Sequence, residues 1–167
     1  MLLLNGDRLS TYLNDHLAGA TAGLDLARRV ARDNEGNGYG AEMAEIAGEI
    51  AGDRDTLQEV MDRLEVGRDH LRMLAGWGME KARRVLPVPW LLDRHALGRL
   101  EEVEALILGV TGKLSLWVSL GETRGGDPRL DGIDVTELAD RARSQLERLG
   151  ELRTRAAADT FGVTRSG

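Results

Sequence analysis

The chain has 167 residues, of which 42% are apolar and 30% are charged, with no cysteine and a formal net charge of -6. The length predicts one globular domain, and the lack of cysteine excludes disulfides and cysteine chemistry. The negative net charge argues against nucleic acid as a partner, because phosphate backbones are bound mainly by basic residues. Uninterrupted apolar runs are far shorter than the roughly 20 residues that cross a bilayer, so we expect a cytoplasmic protein without a transmembrane segment.

Apolar residues recur at helical spacing in four long segments, and almost none recur with the period of two that marks a strand. The first segment follows Asp7, a predicted N-cap, and ends at the polar, glycine-rich run 34–38. The second is predicted to bury one stripe, which is interrupted by Asp53: Met43, Ile46, Ala47, Ile50, Leu57, Val60, Met61 and Leu64.

The third and fourth segments carry comparable stripes. The third is predicted to face inward along Leu97, Leu100, Val103, Glu104, Ile107, Leu108, Val110, Thr111, Leu114, Trp117 and Val118. The fourth opens at Asp134, with Glu137 at the spacing of a capping box. Its predicted stripe is Leu138, Ala142, Gln145, Leu146, Leu149, Leu152 and Ala156.

About 30 residues separate the second and third segments, which makes this join a crossover. It contains a predicted short amphipathic helix, which Pro87 and Pro89 stop. The range 68–99 is also locally basic and contains Trp77 and Trp90. That combination suits weak contact with an anionic membrane surface or an acidic partner; alternatively, the short helix and its tryptophans cover an open side or end of the bundle.

We therefore predict an all-α, single-domain four-helix bundle over residues 1–167, with 162–167 frayed, built from two long antiparallel hairpins joined by the crossover. In outline, residues 7–160 resemble the ferritin-like superfamily, and this resemblance favours its topology over a simple up-down bundle. It implies inward-facing Glu and Glu-x-x-His metal ligands. The second helix has Gly52 where a histidine would follow Glu49, and the fourth helix has no histidine, so the resemblance extends to architecture alone.

Polar residues on the apolar stripes are the candidate site. His16 and Asp53 are predicted to lie within about one helical turn of each other across the first hairpin, as a ligand-binding pair in which the carboxylate raises the histidine pKa. The alternative is a buried histidine that makes one hydrogen bond. No metal or other cofactor is expected; the alternative is iron or manganese held by His16, Glu49, Asp53 and Glu104. Glu104 is expected either to face inward or to reach solvent from the edge of its stripe.

Glycines inside predicted helices are the least usual local feature, since each costs roughly 0.5–1 kcal/mol relative to alanine. Gly19 and Gly23 in the first helix lie level with Gly48 and Gly52 in the second if the hairpin turns near Gly36. We predict that these small residues allow the two helices to approach closely. The alternative is a compositional bias towards glycine without a structural role.

These observations favour a noncatalytic, soluble helical bundle that acts through protein–protein contacts, as a homodimer or with another protein. An enzyme is the less favoured class. The alternative function, implied by the ferritin-like resemblance, is a bundle that binds a metal or small ligand in its interior near His16 and Asp53, with redox activity.

Overall fold

The computed structural model describes residues 2–68, 96–124 and 126–162. These ranges form four long helices: α1 (Leu2–Asp33), α2 (Gly38–Arg63), α3 (Ala96–Arg124) and α4 (Val135–Phe161). A single 3-10 turn, Pro128–Leu130, precedes α4, and no strand occurs within these ranges. The prediction of an all-α protein with four long helices is confirmed. The predicted crossover helix and residues 163–167 lie outside the described residues.

Side chains cap two of the helices. Asp134 is confirmed as the N-cap of α4, since its Oδ1 accepts hydrogen bonds from the backbone N–H groups of Thr136 at 3.0 Å and Glu137 at 2.9 Å. Asn37 caps α2 in the same way. The predicted cap at Asp7 is wrong, because α1 already begins at Leu2; the leucines that precede Asp7 are good helix formers and extend the helix upstream.

The apolar core consists of two clusters at different heights of the bundle. The first joins the second half of α1 and the first half of α2 to the first half of α3 and the second half of α4; its largest members are Leu24, Met43, Ile46, Leu106, Leu149 and Leu152. The second joins the opposite halves, through Leu13, Leu17, Leu57, Met61, Leu116, Trp117, Leu120 and Leu138. The first halves of α2 and α3 therefore share one end of the bundle.

The predicted stripes of α2 and α4 are confirmed, whereas that of α3 is partly wrong. Leu100, Val103, Val110 and Trp117 are buried as predicted. Three further leucines that the prediction left out are also buried: Leu106, Leu116 and Leu120. Three large apolar residues that it placed inside are exposed: Leu97 by 45%, Leu108 by 66% and Val118 by 37%. Glu104 and Thr111 of the predicted stripe are exposed as well. The helix is thus rotated relative to the predicted stripe.

Among the described helices, α3 is the one long and apolar enough to cross a membrane by length and composition, over Leu97–Arg124. Only 33% of its most apolar window is buried inside the bundle. Uninterrupted apolar runs do not reveal this property, because glycine, serine and threonine interrupt the runs of α3. Core helices of soluble proteins also have this composition, and α3 is unusually poor in charged residues.

The glycines of α1 and α2 do not bring the two helices together, so the packing prediction is wrong. A Cβ added at Gly19, Gly23, Gly48 or Gly52 would have no atom within 4 Å. Gly19, Gly48 and Gly52 are exposed. In α2 the buried stripe lies on the other side of the helix, so these glycines face open space.

Substituting Gly48 or Gly52 by alanine is therefore expected to stabilise the protein by about 0.5–1 kcal/mol each, through helix propensity alone. Urea denaturation of Gly48→Ala, Gly52→Ala and the double variant measures this, and the two gains should add. A loss of stability at either position would show that another surface covers this side of α2.

Candidate functional site

A group of charged and amide side chains lies between the two apolar clusters. We call it the interior ion network: Glu49, Asp53, Lys113, Arg141, Gln145 and Arg148. Helix α2 supplies the two acids, α3 supplies the lysine, and α4 supplies the remaining three residues. Asp53 and Gln145 are fully buried, with 1% and 0% exposure. Burying charge at this depth is costly unless every charged group has a partner.

Asp53 is the centre of the network, and both of its carboxylate oxygens face cations of the same chain. Lys113 Nζ donates a hydrogen bond to Asp53 Oδ2 at 2.6 Å. Arg141 Nε lies 3.0 Å from Asp53 Oδ1 as an ion pair. Gln145 Nε2 donates to Asp53 Oδ2 at 3.3 Å. The carboxylate is therefore compensated by neighbours on α3 and α4.

Lys113 points into the bundle from the most apolar helix, and its side chain is only 12% exposed. It donates to Gln145 Oε1 as well as to Asp53. Burial lowers the pKa of the Lys113 ammonium, and the nearby Asp53 carboxylate opposes that shift with a smaller effect. Asp53 is thus the neighbour that most favours the charged form of this buried lysine.

Gln145 connects Asp53 to a second acid, Glu49, one turn earlier on α2. Its Nε2 donates to Glu49 Oε2 at 2.9 Å, and Arg148 donates to the same oxygen. The oxygen and the nitrogen of the buried Gln145 amide therefore both form hydrogen bonds. The Glu49 and Arg148 side chains are 31% and 25% exposed, so the network reaches solvent between α2 and α4.

The structure does not pair His16 with Asp53. The ring of His16 lies edge-on to that of Tyr12, with centroids 4.5 Å apart. Burial lowers the pKa of His16, and the charge of Asp15 opposes this more weakly. The predicted rise in pKa caused by Asp53 is therefore wrong. The partners of Asp53 are instead the cations of the network.

The alternative metal set is not brought together either. Glu104 is exposed and lies 4.0 Å from Arg153, so the interpretation as a stripe-edge residue is the correct one. It follows Val103 of the first cluster, whereas His16 lies between Leu13 and Leu17 of the second. In residues 2–68, 96–124 and 126–162, no three side chains of histidine, aspartate or glutamate are close enough to hold one metal ion.

A surface depression near the end of α2 has two arginines in its lining, Arg124 and Arg129. Arg129 donates to both oxygens of Asp127, from Nε at 3.0 Å and from Nη2 at 2.7 Å. These hydrogen bonds lower the pKa of Asp127 to about 2. Arg124 lies 3.7 Å from the same carboxylate. Both guanidinium groups are therefore already paired, which makes the depression a poor anion site.

The interior ion network is the one candidate that combines burial with several charged groups among the residues that the structure describes. A metal ion at Asp53 would have to displace Lys113 or Arg141, and a small ligand would have to separate Gln145 from its three partners. The arrangement is instead suited to hold α2, α3 and α4 together. Comparison with known proteins gives no match to a protein-family model, to a curated protein or to a solved structure.

Proposed function

We propose that this protein is a noncatalytic helical bundle that acts through protein–protein contacts. The observation that carries the proposal is the pairing of both Asp53 oxygens with cations of the chain itself. The most deeply buried acid is thereby engaged in holding helices together, since its Oδ2 accepts hydrogen bonds and its Oδ1 lies against the Arg141 guanidinium. A bundle whose interior charge is compensated in this way serves as a rigid support for its outer surface.

We further propose the ferritin-like topology for this bundle. Arg29 near the end of α1 pairs with Glu102 near the start of α3 at 3.1 Å. Glu42 near the start of α2 pairs with Arg155 near the end of α4 at 3.0 Å. These pairs favour α3 starting where α1 ends and α2 starts. A chain with that order needs a crossover along the whole bundle, which a simple up-down bundle does not.

The charged outer sides of α1, α2 and α4 are the surfaces we propose for protein contacts. Exposed charged residues on α1 and α4 include Asp15, Asp25, Arg28, Asp140, Arg143, Glu147 and Glu151. Contacts between such surfaces depend on ionic strength, because salt screens exposed charges.

Sedimentation velocity over a wide range of protein concentrations tests the homodimer. We expect the sedimentation coefficient to rise with concentration at low salt and to rise less at high salt. A monomer at every concentration would contradict self-association. Metal analysis of untagged protein provides the second arm: stoichiometric iron or manganese would overturn the noncatalytic interpretation in favour of an interior metal site.

A further inference from the structure

The outward-facing side of α3 is uncharged for most of its length. Four exposed residues follow one another on this side, and we call them the outer stripe: Leu108, Thr111, Ser115 and Val118. The hydroxyl of Thr111 donates to the backbone carbonyl of Ile107 at 2.8 Å, and that of Ser115 to the carbonyl of Thr111 at 3.0 Å. Both hydroxyls are thus satisfied within the helix, so the outer stripe presents mainly hydrocarbon.

This stripe differs from the outer sides of the other helices, where charged residues are exposed along α1 and α4. Lys113, the only charged residue between Glu104 and Glu122, points inward to Asp53. An uncharged side of this length is expected to be covered, since exposed apolar patches mark interaction sites. Lipid, a second copy of the chain or residues of the same chain could each cover it.

Lipid and a second copy both fit poorly. A membrane-spanning α3 would place Lys113 near the bilayer centre and separate it from Asp53, and an unpaired lysine is costly at that depth. A stable contact between copies normally involves about 20–30 residues on each side, far more than the four of the stripe. Antiparallel contact of two stripes would also bring Glu104 close to Glu122 of the other copy, which is repulsive.

Residues 69–95 of the same chain follow a described residue at one end of the bundle and precede the start of α3 at the other end. Before them, the Gly67 carbonyl accepts a hydrogen bond from Asn14 Nδ2 of α1 at 3.1 Å, and Val66 packs on the second apolar cluster. After them, α3 starts at the end of the bundle that holds the first cluster. The described residues on the two sides of this 27-residue segment therefore lie about one length of α3 apart, about 43 Å for 29 residues.

Length and composition both permit this path. A chain of 27 residues reaches at most about 90 Å when extended and about 40 Å as a helix. The segment contains apolar side chains that need burial, including Trp77 and Trp90. It also carries five basic residues against three acidic ones, which complements Glu104 and Glu122 at the two ends of the outer stripe.

We propose that residues 69–95 cover the outer stripe of α3 within the same chain. The exposed apolar side of α3 is then covered by residues of the same chain. Contacts with protein partners then involve the charged sides of α1, α2 and α4. This inference does not depend on the proposed function, since a monomer without partners would need the same cover.

Thiol alkylation tests the proposal directly, because the chain has no native cysteine. The variants are Leu108→Cys and Val118→Cys in the full chain, with Asp140→Cys on the exposed side of α4 as the matched control. In the monomer fraction, we expect both α3 thiols to react at least tenfold more slowly than the control thiol. Reaction at the rate of the control would overturn the proposal. Circular dichroism verifies that each variant is folded.

Crosslinking identifies what covers the stripe. Lys81 is the only lysine in residues 69–95, and the only other lysine, Lys113, lies inside the bundle. A thiol-to-amine crosslinker attached at Leu108→Cys or Val118→Cys should therefore join to Lys81 within one chain, as mass spectrometry of the monomer band would show. Crosslinks found only between two copies, or protection that appears only with anionic lipid vesicles, would overturn the proposal in favour of a dimer or a membrane surface.

Discussion

Replacing Asp53 by alanine is expected to lower the free energy of unfolding by about 3–5 kcal/mol, because it leaves a buried charge without its partner. Lys113 would keep only the neutral amide oxygen of Gln145, and Arg141 would lose its carboxylate. Urea denaturation, followed by circular dichroism at neutral pH, gives the free energy directly if unfolding is two-state.

Two further variants separate this electrostatic effect from a general loss of structure. Asp55→Ala removes a neighbouring acid whose side chain is 64% exposed and pairs with Arg54 at the surface, and such a change should alter stability by less than about 0.5 kcal/mol. The double variant Asp53→Ala with Lys113→Met should be more stable than Asp53→Ala alone, since the unpaired ammonium is removed. A loss below about 1 kcal/mol for Asp53→Ala would show that Lys113 reaches water.

Gly40→Ala is expected to destabilise the protein by about 1–3 kcal/mol, the usual range for an overpacked site. Its added Cβ would lie 2.3 Å from the carbonyl oxygen of Asn34 and 2.7 Å from the carbonyl carbon. These are backbone atoms of the turn between α1 and α2, so they cannot swing aside as a flexible side chain does. The turn also carries the hydrogen bond from Asn37 N to the same Asn34 oxygen at 3.2 Å.

Gly38 provides the matched control for this steric argument. It begins the same helix, yet a Cβ there would approach only the flexible end of Arg155, at 3.6 Å. Gly38→Ala should therefore change stability by less than about 0.5 kcal/mol. Equal losses for the two variants would mean that glycine is needed at the start of α2 for its backbone freedom, and would contradict a clash at Gly40.

The sequence predicts part of the interior ion network and misses the rest for a physical reason. Asp53 and Gln145 interrupt regular apolar stripes, so their burial is readable from spacing. Lys113 has the same kind of signal, since it lies three residues after Val110 and four before Trp117. Spacing alone does not place it inside, because a lysine ordinarily faces water and only the acid on another helix makes its burial tolerable.

The rotation of α3 could not be fixed from its pattern. Leucine and valine occur on almost every side of this helix between residues 106 and 120, so more than one stripe satisfies a period of 3.6. A stripe that contains Leu108 and Val118 satisfies this period as well as one that contains Leu106 and Leu116. The inward position of Lys113 would have selected the correct one. In α2 and α4, where charged residues fill the outer side, the stripe is unique and the prediction is confirmed.

Two predictions that rest on counting residues from the α1–α2 turn are wrong: the His16–Asp53 pair and the close packing of the helical glycines. Counting residues from Gly36 places His16 near Asp53 and the four helical glycines level with one another, but height along a helix does not determine direction around it. The Asp53 side chain turns towards α3 and α4, where the cations lie, whereas Gly48 and Gly52 face solvent. Rotation about the axis depends on all four helices together, which a two-helix count omits.

The position of Lys113 also restricts how α3 can slide along its neighbours. Its ammonium must reach a carboxylate on α2 and an amide on α4 at the same time. A displacement of α3 by one turn, about 5.4 Å, would leave that charge among leucines. Without this lysine, many axial positions of such an apolar helix would bury similar areas of apolar surface. A single lysine therefore selects one axial position of α3 relative to α2 and α4.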